Sequence, residues 1–230
     1  MDRQPDPASE DHRTRVAAER RERMHSRLVE SALLVFGQRG VDASIIDELI
    51  STAGVSRGTF YNYFRTNEDV LVAVSVAVSN EMLRMIDPFA HTEADPAARI
   101  AVGIRLFLGL AEEFPAIGAF LSRGGLRVLT GNGLINEYLP RDLIGGCDSG
   151  RFHIADIAPA FDMVVGSTLA TLNRMQSGTL PDGHSARLVS MVLLALGLPA
   201  DEAESIAQRP LLKLELPPDS LLARVGGGRK

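Results

Sequence analysis

Between residues 44 and 64 the chain reads SIIDELISTAGVSRGTFYNYF, and this stretch restricts the fold more than any other. Ile46, Leu49, Ile50 and Ala53 recur at i, i+3, i+4 and i+7, one face of a helix. Ser44 stands where an N-cap belongs, and Gly54 offers the left-handed backbone that a tight corner after Ala53 needs. Ser56 then caps a short further helix whose inward side is Phe60 and Phe64. Gly54-Val55-Ser56-Arg57-Gly58 also fits G-x-S-x-G, the turn that exposes a nucleophilic serine in hydrolases. That turn requires a buried strand before the serine, and the preceding residues have a helical period. Ser56 is therefore read as a cap, and the chain as not an enzyme.

The two helices and their glycine corner spell a helix-turn-helix. The outward side of the second carries Arg57, Gly58, Thr59, Tyr61, Asn62 and Tyr63. Guanidinium, hydroxyl and phenol groups bond phosphate oxygens or guanine edges, and Gly58 leaves room for close approach to a groove. The same tyrosines also suit an ordinary amphipathic surface.

Helical signals continue on both sides. Residues 1–19 are rich in Pro, Asp, Arg and Ser and are expected to form a flexible arm. From Arg20 a helical stripe of Leu28, Val29, Ala32, Leu33 and Phe36 runs to a stop at Gly40. Thr66, with Asp69 three residues on, opens a fourth helix whose apolar run is expected to end before Pro88. Further helices are predicted over 96–114, 116–123, 133–144, 159–176, 185–196 and 200–208, with Gly145-Gly146 ending the third of these. No strand pattern is found, so the fold class is all-α. The expected division is an arm at 1–19, a three-helix helix-turn-helix domain at 20–66, a larger helical domain at 67–208, and a tail at 209–230.

Charge places any nucleic-acid contact in the first part. Residues 1–65 hold ten arginines against ten acids, while the whole chain carries −5, so the deficit falls on the remainder. No apolar stretch is long enough to span a membrane, and the start lacks the apolar core of a signal peptide, so the expectation is a cytoplasmic protein with no membrane partner. Cys147 stands alone and the five histidines are scattered, which gives neither a disulfide nor metal-ligand spacing; no metal and no cofactor are expected.

The stretch from Arg27 to Leu71, RLVESALLVFGQRGVDASIIDELISTAGVSRGTFYNYFRTNEDVL, resembles the N-terminal domain of TetR/AcrR-type transcriptional regulators. The resemblance implies a homodimer that sets two reading helices into adjacent major grooves, about 34–36 Å apart, of a near-palindromic double-stranded DNA operator. Carried over by position, Arg57, Gly58 and Thr59 match base-edge or adjacent contacts, and Ser44, Tyr61 and Tyr63 match phosphate contacts. Asn67 stands where the family often has a phosphate-binding lysine, and Ile50 where it usually has alanine. Asp47 and Glu48 add acid near the DNA side.

The resemblance also implies a C-terminal pocket for a small-molecule effector and a dimer face. Phe107, Phe114, Phe120, Leu121, Phe161 and Met163 could line such a pocket, with Arg105 or Arg123 as polar handles; a packed core would use the same side chains. Gly166 and Ala170, with Leu188, Val192 and Ala195, give two helices small or apolar faces suited to a four-helix contact between subunits. The function expected is a ligand-responsive dimeric repressor released by a small apolar effector. The alternative is a helical ligand-binding or scaffolding dimer with weak or lost DNA reading.

Overall fold

Pro7 opens a 33-residue helix, α1 (Pro7–Arg39). The computed structural model describes residues 7–40, 45–129, 133–178, 180–211, 214–217, 220 and 222–223. The start of α1 corrects the expected helical onset at Arg20. Proline is tolerated in a first turn, where its missing N–H has no partner to lose, and Ala17 and Ala18 favour helix. Arg15 and Glu19 add an exposed i,i+4 pair at 3.9 Å.

Two compact units follow one another along the chain, Met1–Val70 and Leu71–Lys230. In the first, α1 packs against α2 (Ile46–Ala53), which leads into α3 (Arg57–Tyr61). Leu28, Phe36, Ile45, Leu49 and Phe60 are almost wholly buried there, and each such side chain stabilises the fold by about 1.5–3 kcal/mol relative to exposure. The expected cap Ser44 lies outside the described residues; Ile45 occupies the N-cap position of α2 without a side-chain bond.

Helix α4 (Asn67–Ala90) begins as the sequence indicates. The Asp69 carboxylate accepts the Arg65 and Thr66 amides at 2.9 and 3.1 Å, and the Thr66 hydroxyl accepts the Asp69 amide at 3.1 Å. This is a reciprocal capping box. Its end is a second correction: the helix passes through Pro88. The proline sits in the last turn, so it disturbs little of the ladder, and the His91 amide still bonds the Asp87 carbonyl at 2.9 Å.

In the second unit α5 (Pro96–Glu113) is central. It touches α6 (Pro115–Gly124), α7 (Ile135–Asp148), α8 (Ile157–Gln176), α9 (His184–Ala195) and α10 (Ala200–Ala207). A 3₁₀ segment, Gly125–Leu129, precedes α7. No strand occurs among the described residues. Asp95 caps α5 by accepting the Ala97 amide at 3.0 Å. Its carboxylate also takes a bidentate bond from Arg151, both arms 2.9 Å, and Arg151 reaches Glu202 at 2.7 Å. This one guanidinium fastens the start of α5, the turn after α7 and α10 together. α7 runs through Gly145-Gly146, a third correction. The Phe152 ring lies where a Cβ on Gly146 would stand, so glycine serves close packing there rather than helix breaking. Beyond α10, Leu214 and Leu222 are buried, so apolar burial reaches into the segment read as a tail.

Candidate DNA-reading face and effector cavity

The corner between α2 and α3 is a Schellman turn. Gly54 adopts φ 62°, its amide bonds the Ser51 carbonyl at 3.1 Å, and the Val55 amide bonds the Ile50 carbonyl at 3.2 Å. Ser56 follows in extended conformation, and its hydroxyl accepts the Thr59 amide at 3.0 Å. The hydroxyl lies 2.9 Å from that of Thr59 as well. Ser56 is thus a helix cap, and no strand precedes it among the described residues.

These constraints turn Phe60 and Phe64 inward and leave Arg57, Gly58, Tyr61 and Asn62 exposed, with Thr59 and Tyr63 half-buried. A Cβ on Gly58 would meet only the Ser56 hydroxyl, at 3.8 Å. The protein's own packing therefore does not demand glycine at that position. Tyr63 is held from α1: the Arg21 guanidinium lies 5.6 Å over its ring, and the His25 ring is 6.4 Å away. Asn67 accepts the Ile45 amide at 3.3 Å and so serves the start of α2. Both acids of that helix are engaged by arginines, Asp47 by Arg57 at 2.6 Å and Glu48 by Arg39 at 3.0 Å.

In the second unit a cavity of about 110 Å³ opens among α4, α5, α7, α8 and the 3₁₀ segment. Ile86, Ile100, Ile104, Phe107, Leu139 and Val165 make its walls mostly apolar. Asp87, Arg99, Tyr138 and Asp142 also line it. Arg141 bonds Asp87 at 2.8 Å and approaches Asp142 at 3.3 Å, and its guanidinium lies 5.0 Å over the Tyr138 ring. Burial alone would lower the Arg141 pKa, but hydrogen bonds and charge attraction from Asp87 and Asp142 outweigh it and raise the pKa. Arg99 stands 4.0 Å from Asp142 and donates to the Glu93 carbonyl at 2.7 Å. His91 adds a contact to Asp87 at 3.2 Å.

Of the side chains expected around a pocket, Phe107 lines this cavity. Phe120 and Leu121 are fully buried elsewhere in the core, and Phe114, Phe161 and Met163 are half-buried off its walls. Arg105 donates to the Arg209 carbonyl, and burial pushes its pKa down; Arg123 is exposed. Sequence reasoning did not reach the acids or Tyr138. Asp87 gave little signal, since it follows Leu83 on a line of α4 that already carries Ser75 and Ser79. On the proposed dimer helices, Ala170 and Ala195 are exposed and Gly166 and Leu188 half-buried, whereas Val192 points into its own subunit. Met191 (69% exposed) and Leu194 (42%) extend the outward apolar face of α9 instead.

A helix-turn-helix head followed by a helical unit with a small cavity defines a class, the helix-turn-helix transcriptional regulators. Residues 28–74 match the family described as bacterial regulatory proteins, tetR family, and residues 95–209 match the tetracyclin repressor-like C-terminal domain. The chain belongs to the TetR family of transcriptional regulators, whose members are generally DNA-binding repressors with ligand-binding domains.

The structure of RolR in complex with resorcinol is similar over 86% of this chain and all of RolR, at 32% identity and a TM-score of 0.75. The transcriptional regulator AcuR of Cereibacter sphaeroides is 32% identical over 90 residues, 39% of each chain. An uncharacterised regulator of Mycobacterium tuberculosis is 28% identical over 147 residues, and the match spans 64% of this chain and 65% of that one. The chain thus spans 39% of the first of these curated relatives and 65% of the second. Among the described residues no helix is long and apolar enough to cross a membrane.

Proposed function

We propose that the chain is a homodimeric repressor that reads a near-palindromic operator and is released by a small hydroxylated aromatic effector. The observation that carries the DNA reading is the orientation of α3. Phe60 anchors it inside the head, while Arg57, Gly58, Tyr61 and Asn62 face outward. With Thr59, Tyr63 and Asn67 beside them, they form the duplex-facing set; the family resemblance adds Ser44, outside the described residues, as a phosphate contact. Gly166, Ala170, Leu188 and Ala195, joined by Met191 and Leu194, form the face between subunits.

The cavity, about 110 Å³ against 150 Å³ for an apolar cavity that holds benzene, limits an effector to no more than a single ring. Its polar edge supports hydroxyl groups on that ring. The carboxylates of Asp87 and Asp142 can accept phenolic O–H bonds, which charge makes stronger than neutral ones. RolR was solved with resorcinol, a benzenediol of that kind. Binding that favours one spacing of the reading heads over another shifts the population away from the DNA-competent state.

The test begins by selecting bound duplexes from a random pool. A near-palindrome should emerge, and replacing Arg57 with alanine should cost roughly 1–3 kcal/mol at one guanine position only, as for a bidentate contact. Resorcinol should release the duplex where benzene does not, and Asp142→Asn should abolish that release. Equal losses for Arg57→Ala on selected and random DNA reject the reading of α3, and release unaffected by Asp142→Asn rejects the effector site. The engagement of Arg57 by Asp47 and of Asn67 by the Ile45 amide favours one other reading, a ligand-binding dimer that has lost DNA reading. Failure to select any duplex would establish that alternative.

A further inference from the structure

The middle of α1 is rich in positive charge. Between residues 15 and 27 there are five arginines and two acids. Arg20, Arg23 and Arg27 recur at i, i+3 and i+7, which places them along one helical face, with Arg21 on the flank. All four are exposed. Among the described residues none of them is paired with a carboxylate, whereas Arg15 takes Glu19. Continuous helix holds them in fixed register, so they do not behave as independent charges on a loose arm.

Two contacts join this segment to the reading helix. Arg21 lies over the ring of Tyr63, just beyond the last turn of α3. Arg27 Nη2 lies 3.3 Å from where a Cβ on Gly54 would stand, at the corner before α3. Arg21 and Arg27 therefore adjoin α3 and its corner, with Arg23 and Arg20 one and two turns from Arg27 along the same helix. From Arg20 to Arg27 the helix rises about 10 Å, or about three 3.4 Å steps along one strand of a duplex.

We propose that Arg20, Arg21, Arg23 and Arg27 form a second DNA-backbone contact, a rigid basic helix face that binds phosphates flanking the bases read by α3. The inference rests on the DNA-reading proposal above and adds to it a footprint longer than the α3 half-site. Arg21 contributes as a pair with Tyr63, because the ring positions the guanidinium beside the phenol and one phosphate can bond both. The other three act by charge, so their replacement changes affinity for every flanking sequence alike.

The test uses the full chain and the duplex it selects from a random pool, prepared in two lengths. One ends just outside the symmetric core and the other carries random flanks of about one helical turn on each side. Binding is followed by fluorescence anisotropy across a salt series. Removing the cation from one phosphate should reduce the slope of log K against log salt by about 0.9 on B-form DNA. On the long duplex, Arg20→Ala/Arg23→Ala should therefore lower the slope by about 1.8 per subunit, and Arg21→Ala by about 0.9. Arg20→Lys/Arg23→Lys, which keeps the charge, should retain the unmodified slope. On the short duplex, the Arg20→Ala/Arg23→Ala protein and the unmodified protein should coincide. Alanine is the strongest helix former, so these exposed changes leave α1 helical, as circular dichroism would verify. Unchanged slopes on the long duplex overturn the flanking contact while leaving core reading intact. A chain that selects no duplex overturns both.

Discussion

Besides Gly145 in α7, three glycines inside helices have nothing in their own subunit within 4 Å of a Cβ built on them: Gly103 and Gly109 in α5, and Gly166 in α8. None has positive φ. Replacing each with alanine should gain roughly 1 kcal/mol from helix propensity alone. The environment decides what is added. Gly109 is exposed, so its variant isolates the backbone effect, a rise of about 2–4 °C in melting temperature for a unit of this size. Gly103 lines the cavity, where its new methyl meets nothing within 4 Å and so adds no packing to the propensity gain. The same methyl occupies effector space and should weaken resorcinol binding. Gly166 lies on the face assigned to the partner subunit, where a methyl would enter the contact. Gly166→Ala should therefore shift the monomer–dimer equilibrium towards monomer. Calorimetry, ligand titration and sedimentation equilibrium read the three outcomes separately. No gain for Gly109→Ala would refute the propensity argument for all three. Unchanged ligand binding by the Gly103 variant would refute the assignment of the cavity.

Other side chains give equally direct tests. Ser56→Ala removes the α3 cap and should cost about 1 kcal/mol in urea denaturation; an unchanged midpoint would return Ser56 to consideration for another role. Asp95 is half-buried, which by itself would raise its pKa, but the bonds from Arg151 and the Ala97 amide prevail and lower it. A lowered carboxyl pKa contributes stability above the unfolded value of about 3.9 that is lost as pH falls through the folded value. Arg151→Ala should thus be destabilising at neutral pH and show a shallower further loss below about pH 4 than the unmodified protein, measured by thermal melts across that range. Gly146→Ala should cost about 1–3 kcal/mol, because its Cβ would displace the buried Phe152 ring; a neutral result in urea denaturation would show that the ring moves freely.

The head was legible because its signals are local. Gly54, Ser56 and the Thr66–Asp69 box each act within a few residues, and each bond expected of them is present. The start of α1 was not, since its Pro, Asp and Arg content resembles a disordered segment while alanines and an i,i+4 pair support helix from within. Pro88 and Gly145-Gly146 misled for a related reason. Both are local stop signals overruled by position, Pro88 by falling in a last turn and Gly146 by the Phe152 ring against it. The cavity is a tertiary object whose walls come from helices far apart in sequence. Hydrophobicity marks Phe107, Phe120 and Leu121 alike, and only packing separates a wall from a core. Val192 failed in the same way, because α9 is apolar enough to offer both an inward and an outward side.

The acids of α2 look at first like an obstacle to binding a polyanion, but their placement changes the balance. Asp47 and Glu48 stand in the first turn of α2, where the helix dipole favours negative charge by about 0.3–1 kcal/mol each. Asn67 meets an amide at the same end without adding a third charge. Arg57 and Asp47 are 67% and 77% exposed, so their ion pair contributes no more than about 1 kcal/mol. A bidentate guanine contact is worth roughly 1–3 kcal/mol of discrimination, so the correct base can draw Arg57 away while a wrong base leaves it with Asp47. In the reading proposed above, Arg57 must give up this pair to reach a guanine, so Asp47 deducts up to about 1 kcal/mol from the gain at the correct base, and that affinity must be supplied by positive charge elsewhere on the head.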